Sequence, residues 1–147
     1  MDKVIIRKGI KKDIKEMARI FREEYAKKPW NEKWTEKNSI KKIKNYFNNK
    51  YKIYVCEIDK KIVGFIVTDT FVWASGKEGF IDQIIISEKY QGKGIGKTLL
   101  EKTEDYFRKK GIKEIILYTN IKSNAVGFYK GRGYKQGDMV IYSKKLK

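Results

Sequence analysis

Histidine is missing from all 147 residues of this chain, and with it goes every mechanism or metal shell that needs imidazole. Ser-His-Asp and Cys-His nucleophile activation are both excluded. The single cysteine, Cys56, can form no intrachain disulfide and cannot close a tetrahedral zinc shell, so no metal is expected. It sits in an apolar run, as a core residue of a protein from a reducing compartment does. No run of about 18 apolar residues occurs, and the start, Met1 to Arg7, lacks the apolar stretch of a signal peptide. A soluble, cytoplasmic protein without a membrane partner is the expectation. Acid is scarce too: 18 Asp and Glu stand against 35 Lys and Arg, a formal charge of +17 that favours polyanions. The basic residues are scattered in pairs such as Lys11-Lys12, Lys41-Lys42 and Lys109-Lys110, the pattern of a solvated surface.

The length suits one domain over 1–147, and hydrophobic periodicity divides it into alternating elements. Val4 to Arg7 reads as a strand. Asp13 and Glu16 form a capping pair for a helix bearing Ile14, Met17, Phe21 and Tyr25. The only proline, Pro29, ends that pattern, and Trp30 to Trp34 makes an aromatic connector before Thr35 opens a second helix with Ile40, Ile43 and Phe47. Tyr51 to Ile58 and Lys61 to Thr68 flank Asp59-Lys60 as a hairpin. After a turn at Ser75 to Lys77 come a strand at Phe80 to Ser87, a helix at Ile95 to Lys110 stopped by Gly111, and a strand at Ile112 to Thr119. A short helix near Ser123 to Lys130 and a last strand near Met139 to Ser143 complete an α/β chain ordered β-α-α-β-β-β-α-β-α-β.

Chemistry concentrates where the strand ending at Ser87 meets its helix, at Gln91-Gly92-Lys93-Gly94-Ile95-Gly96. Glycines at alternate positions turn the chain sharply and bring its amides toward a ligand, while the helix start adds partial positive charge. The expected guest is a phosphate. The dinucleotide fingerprint fails, because its Gly-x-Gly-x-x-Gly spacing is not met and no acidic ribose clamp follows Tyr118-Thr119. The nucleotide-triphosphate loop also fails: Gly96-Lys97-Thr98 supplies its second half, but Gln91 stands where the first glycine belongs.

Gln91, Gly94 and Gly96 resemble the Gln/Arg-x-x-Gly-x-Gly/Ala loop of the GNAT superfamily of N-acetyltransferases. After the next strand, Ala125, Tyr129, Gly133 and Tyr134 resemble that family's Ala-x-x-x-Tyr-x-x-x-Gly-Phe/Tyr signature. The resemblance covers 65–147 well, and the first half only in its order of elements. It implies a mixed central sheet flanked by helices, splayed between the strand before the loop and the strand after the helix, with the pantetheine arm of acetyl-CoA in the opening. It implies a pyrophosphate seat at Gln91, Gly92, Lys93, Gly94, Ile95, Gly96 and Lys97, and backbone pairing of Ile84, Ile85 and Ile86 with pantetheine.

By the same resemblance Tyr129 is the general acid that protonates the departing thiolate, a role open to a phenol of reference pKa about 10. Asn124 would hold a pantetheine amide or cap its helix, although the family's asparagine slot is here Lys122. The general base must be a carboxylate, a water chain or nothing. Asp82 is the leading candidate, nine residues before Gln91 and, by alternation, on the face of Ile84 and Ile86; Glu78, Asp69 and Asp138 compete. Tyr25, Trp30 and Trp34, with Trp73 as a further candidate, would wall the acceptor site and hold an amine by cation–π contact, with Glu32 or Glu36 as charge partner, or else simply staple the helices together.

The function so implied is acetyl transfer from acetyl-CoA to a primary amine of a small molecule or a protein, by a monomer or homodimer. Two other readings fit the sequence. A basic nucleic-acid or ribosome-associated module on the same scaffold is supported by the charge but lacks a recognised motif or a stacking platform. A non-catalytic CoA-binding domain would not require Tyr129.

Overall fold

The computed structural model describes residues 3–147. Five strands form one mixed sheet in chain order: β1 (Val4–Lys8), β2 (Lys52–Ile58), β3 (Lys61–Trp73), β4 (Gly76–Ile86) and β5 (Ile115–Leu117). The first four pair antiparallel, and β5 joins β4 in parallel. Period-two alternation sends successive residues to opposite faces. Val55, Phe65 and Val67 therefore pack under α1 (Ile14–Tyr25) and α2 (Glu36–Lys44), against Met17, Phe21 and Ile43. Cys56 and Ile66 face the other way, onto Leu99 and Leu100 of α3 (Ile95–Lys109).

Local signals fix several element ends. Thr35 caps α2, its hydroxyl accepting from Asn38 N–H at 3.0 Å. The β2–β3 turn places Asp59 and Lys60 at φ 50° and 63°, the left-handed pair that a two-residue hairpin requires. Gly111, at φ 76°, closes α3 with Ile112 N–H donating back to Phe107 O at 3.0 Å. Ile112 is thereby buried as part of the helix cap, so β5 starts later than its apolar run suggests.

Other expectations are corrected. Asp13 does not cap α1: its carboxylate accepts two bonds from Arg7, each 2.9 Å, and one from Ile10 N–H at 2.8 Å, while Glu16 pairs with Arg19. Burial alone would raise Asp13, but the Arg7 guanidinium and the Ile10 amide outweigh it and hold the carboxyl below its usual value. The β3–β4 hairpin runs on to Trp73 and Gly76, with Ala74 and Ser75 at the turn. The short last helix, α4 (Ala125–Lys130), starts after Ser123, whose hydroxyl accepts from Ala125 N–H at 3.1 Å.

The strand expected at Met139 to Ser143 does not form: 139–147 joins no ladder. Met139, Val140, Ile141 and Tyr142 are all exposed. Apolar composition supplies strand propensity, but a strand exists only where a second edge accepts its hydrogen bonds.

Candidate active site at the open edge of the fourth strand

Strands β4 and β5 pair only at Gly79, Phe80 and Ile81, opposite Ile115, Ile116 and Leu117. From Asp82 to Ile86 the edge of β4 that faces β5 has no strand beside it, so the sheet splays there as the resemblance implied. Ile84, Ile85 and Ile86 pair on their other edge with Ile66, Phe65 and Gly64. Ile85 is core beneath α1; Ile84 and Ile86 are half-buried toward α3.

The open edge leads into the glycine turn. Gly92 and Gly94 take φ 75° and 84°, where other residues are strained, and a Cβ on either would stand in open space. Gly94 is the N-cap of α3 and provides no side chain to satisfy the first amides, and no acidic residue occupies the first turn. Thr98 N–H returns to Gly94 O, but no acceptor outside the helix meets the amides of Gly92, Lys93, Ile95, Gly96 or Lys97 among the described residues. These orphan donors and the empty space before them fit a phosphate.

Gln91 departs from its expected role. Its side-chain amide donates to Ile86 O at 2.8 Å and to Glu24 Oε1 at 2.9 Å, tying the loop to the end of β4 and to α1. Lys27 continues this tie by pairing with Glu24 and Glu88. Lys97 lies 3.9 Å from Glu101, and Lys93 lies over the Tyr90 ring. Gly96 brings α3 against α4, where an added Cβ would meet Phe128 at 3.4 Å.

Asp82 does not share the face of Ile84 and Ile86. Val67 pairs with Gln83 and Thr68 with Ile81, so Asp82 is the extra residue of a β-bulge. Beyond the bulge the alternation resets. Gln83 reaches the α1–α2 side, accepting from the Tyr25 hydroxyl at 2.7 Å and donating to Tyr46 Oη at 3.2 Å. The Asp82 charge bears on both of these tyrosines. Burial, then Glu32, Asp82 and Glu24, push Tyr25 up to about 12; burial also raises Tyr46.

Tyr129, 8% exposed, packs edge-on against Phe128 and Tyr134. Its hydroxyl makes no hydrogen bond among the described residues, and burial with a contribution from Tyr25 raises its pKa. Tyr134 is anchored to α3 through Glu104 at 2.8 Å. Tyr25 therefore lies within electrostatic reach of Asp82, Glu32 and Tyr129 together.

The aromatic wall is continuous: Trp30 packs edge-on against Tyr25, and Trp34 against Phe21, while Trp34 Nε1 donates to Glu32 Oε1 at 2.7 Å. Trp73 is not part of it, being exposed at the β3–β4 tip. Asp69 pairs with Lys50, Glu78 accepts from Ser75 near the hairpin tip, and Asp138 lies exposed beyond α4. Asn124 is exposed and makes no capping bond. Gln83, Tyr46 and Glu24 were not singled out from the sequence; their common feature, contact across elements far apart in the chain, has no sequence signal.

Residues 14–134 match the model of the acetyltransferase (GNAT) family, and the chain belongs to that family. An uncharacterized N-acetyltransferase of Methanocaldococcus jannaschii is 31% identical over 79% of this chain and 50% of its own length. The chain thus spans half of that relative. A spermidine N(1)-acetyltransferase of Thermoplasma acidophilum is 32% identical over 82% of this chain and 74% of its own. The solved structure of a possible acetyltransferase from Clostridium difficile superimposes with a TM-score of 0.83 at 19% identity, over 97% of both chains. No helix among the described residues is long and apolar enough to cross a membrane.

Proposed function

We propose that the chain is an N-acetyltransferase that moves an acetyl group from acetyl-CoA to a primary amine by direct attack. One observation carries this reading: the unpaired edge of β4 runs from the Asp82 bulge to a turn whose amides are uncapped and whose glycines leave room for an anion. The amides from Gly92 to Lys97 would hold the pyrophosphate, and the edge at Ile84 to Ile86 the pantetheine. Gln91 positions the turn through Ile86 and Glu24.

Acetyl-CoA supplies an activated acyl group with a thiolate leaving group. In the transfer the amine nitrogen forms a bond to the acyl carbon, the carbon–sulfur bond breaks, nitrogen gives up a proton and sulfur gains one. Asp82, in the acceptor-side bulge, would take the amine proton through water, and the unpartnered Tyr129 hydroxyl would donate to sulfur. Because burial raises Tyr129, it stays protonated well into alkaline conditions.

The test is thiol release from acetyl-CoA over panels of amines, amino acids and peptides, in wild type and Tyr129→Phe. Turnover with at least one acceptor is expected, with kcat cut about 100-fold or more in the variant. An absence of acetyl-CoA binding by calorimetry sinks the proposal; a fully active Tyr129→Phe removes the assigned acid.

A further inference from the structure

Helix α1 ends in two consecutive residues that reach opposite ends of the open stretch of β4. At one end the Tyr25 hydroxyl donates to Gln83 Oε1 at 2.7 Å, beside the Asp82 bulge where β4 loses its pairing with β5. At the other, Glu24 Oε1 accepts from Gln91 Nε2 at 2.9 Å, and the same amide donates to Ile86 O at 2.8 Å. The last turn of α1 thus grips both ends of a strand edge that has no neighbouring strand among the described residues.

Apolar packing holds the glycine turn from one side only. On the α3 side, Tyr90 packs into the cluster that contains Ile95 and Leu99. On the α1 side lies a cleft of about 530 Å³, lined by Ile20, Glu24 and Lys27 and by Ser87, Glu88 and Lys89. Polar contacts span it: Lys27 Nζ pairs with Glu24 and with Glu88, each at 3.1 Å. The turn is therefore set against α1 by hydrogen bonds and ion pairs, and a directional bond fixes orientation as well as distance.

Resting on the acetyltransferase reading above, we infer that Glu24 and Tyr25 are a pair of positioning residues: they hold the pyrophosphate turn and the bulge in the relation that lets the edge between them take the pantetheine arm. Neither side chain has to touch acetyl-CoA. A strand edge without a neighbour can twist or shift, and a ligand that adds along it must supply whatever ordering the protein has not already provided. Fixing both ends beforehand removes that cost. Because the two contacts leave adjacent residues of one helix, a displacement at one end reaches the other, which joins the cosubstrate seat to the acceptor wall of Tyr25 and Trp30.

The measurement is the dissociation constant of acetyl-CoA by calorimetry, which needs no acceptor, with urea unfolding of every variant alongside. Glu24→Ala is expected to weaken binding about fivefold, the scale of one partly exposed charged hydrogen bond. Gln91→Ala removes the same bond, so the double variant should bind no more weakly than Gln91→Ala alone. Glu24→Gln keeps an oxygen that can accept from Gln91 and should stay within about twofold of wild type, while its urea midpoint matches that of Glu24→Ala. Tyr25→Phe keeps the ring and loses only the hydroxyl, yet should weaken acetyl-CoA about threefold from the bulge end. Effects of Glu24→Ala and Gln91→Ala that multiply, a Glu24→Gln no tighter than Glu24→Ala, or a Glu24→Ala or Tyr25→Phe that binds as wild type overturns the clamp while leaving acetyl transfer intact. No acetyl-CoA heat from the wild-type protein overturns both.

Discussion

Asp82 owes its place to one extra residue in β4. Strict alternation would send it toward α3 with Ile84 and Ile86; the bulge opposite Val67 and Thr68 turns its charge toward Tyr25 and Tyr46. That extra residue was not legible in the sequence, because a bulge is a mismatch between two strands and neither strand alone reveals it. Tyr129 was legible, since its signature spacing survives whatever the register. Its raised pKa makes a prediction for pH–rate data. In the proposed role the phenol acts in its protonated form, and raising its pKa extends that form upward in pH, so kcat should show no alkaline decline below about pH 10. A descending limb near pH 8 would remove Tyr129 as the acid.

Stability at the same scale rests on Arg7, which joins β1 to Asp13 and, across the sheet, to Glu57. Arg7→Gln should cost about 2 kcal/mol, the scale of lost charged hydrogen bonds at a half-buried site, measured by urea unfolding. A loss under about 0.5 kcal/mol, typical of an ordinary surface change, would show the network to be idle. Asp13 has a depressed folded pKa, so its contribution is present above the unfolded value of about 4 and fades as pH falls through the lower folded value. The urea midpoint should therefore drop on acidification below about pH 4, and less so in Asp13→Asn.

Among elements, the turn into α3 separates two kinds of glycine. Gly94 sits at φ 84° with open space around it, whereas Gly96 has an ordinary helical backbone and Phe128 nearby. Gly94→Ala should cost about 1 kcal/mol in stability and also weaken acetyl-CoA binding, because the methyl would enter the proposed phosphate space. Gly96→Ala should do less to the backbone, its added carbon touching only the Phe128 ring. Equal effects in a calorimetric titration would contradict this division. In the β2–β3 hairpin, Lys60 holds a left-handed conformation without being glycine or asparagine. Lys60→Gly should raise stability by roughly 0.5–1 kcal/mol, read by thermal unfolding; a fall would mean that its side chain matters more than its backbone strain.

For the molecule as a whole, the charge of +17 would act at a distance on the anionic cosubstrate of the proposed reaction. Raising salt from about 0.05 to 0.5 M shortens the screening length and should raise KM for acetyl-CoA several-fold with a smaller change in kcat. A salt-independent KM would confine recognition to uncharged contacts.

The sequence alone determined the succession of elements from β1 to α4, the glycine turn and its position between a strand and a helix, the α2 cap, the α3 stop and the placement of Tyr129 after the last parallel strand. Each of these depends on dihedral preferences, spacing and hydrogen bonds within a few residues. Tertiary structure decided which way Asp82 faces, that Gln91 ties the loop to Glu24, which carboxylates are neutralised, where β4 parts from β5 and that 139–147 stays outside the sheet. Those outcomes are set by register and by pairing between distant segments, where a hydrogen bond or a charge is satisfied only if its partner arrives from elsewhere in the chain.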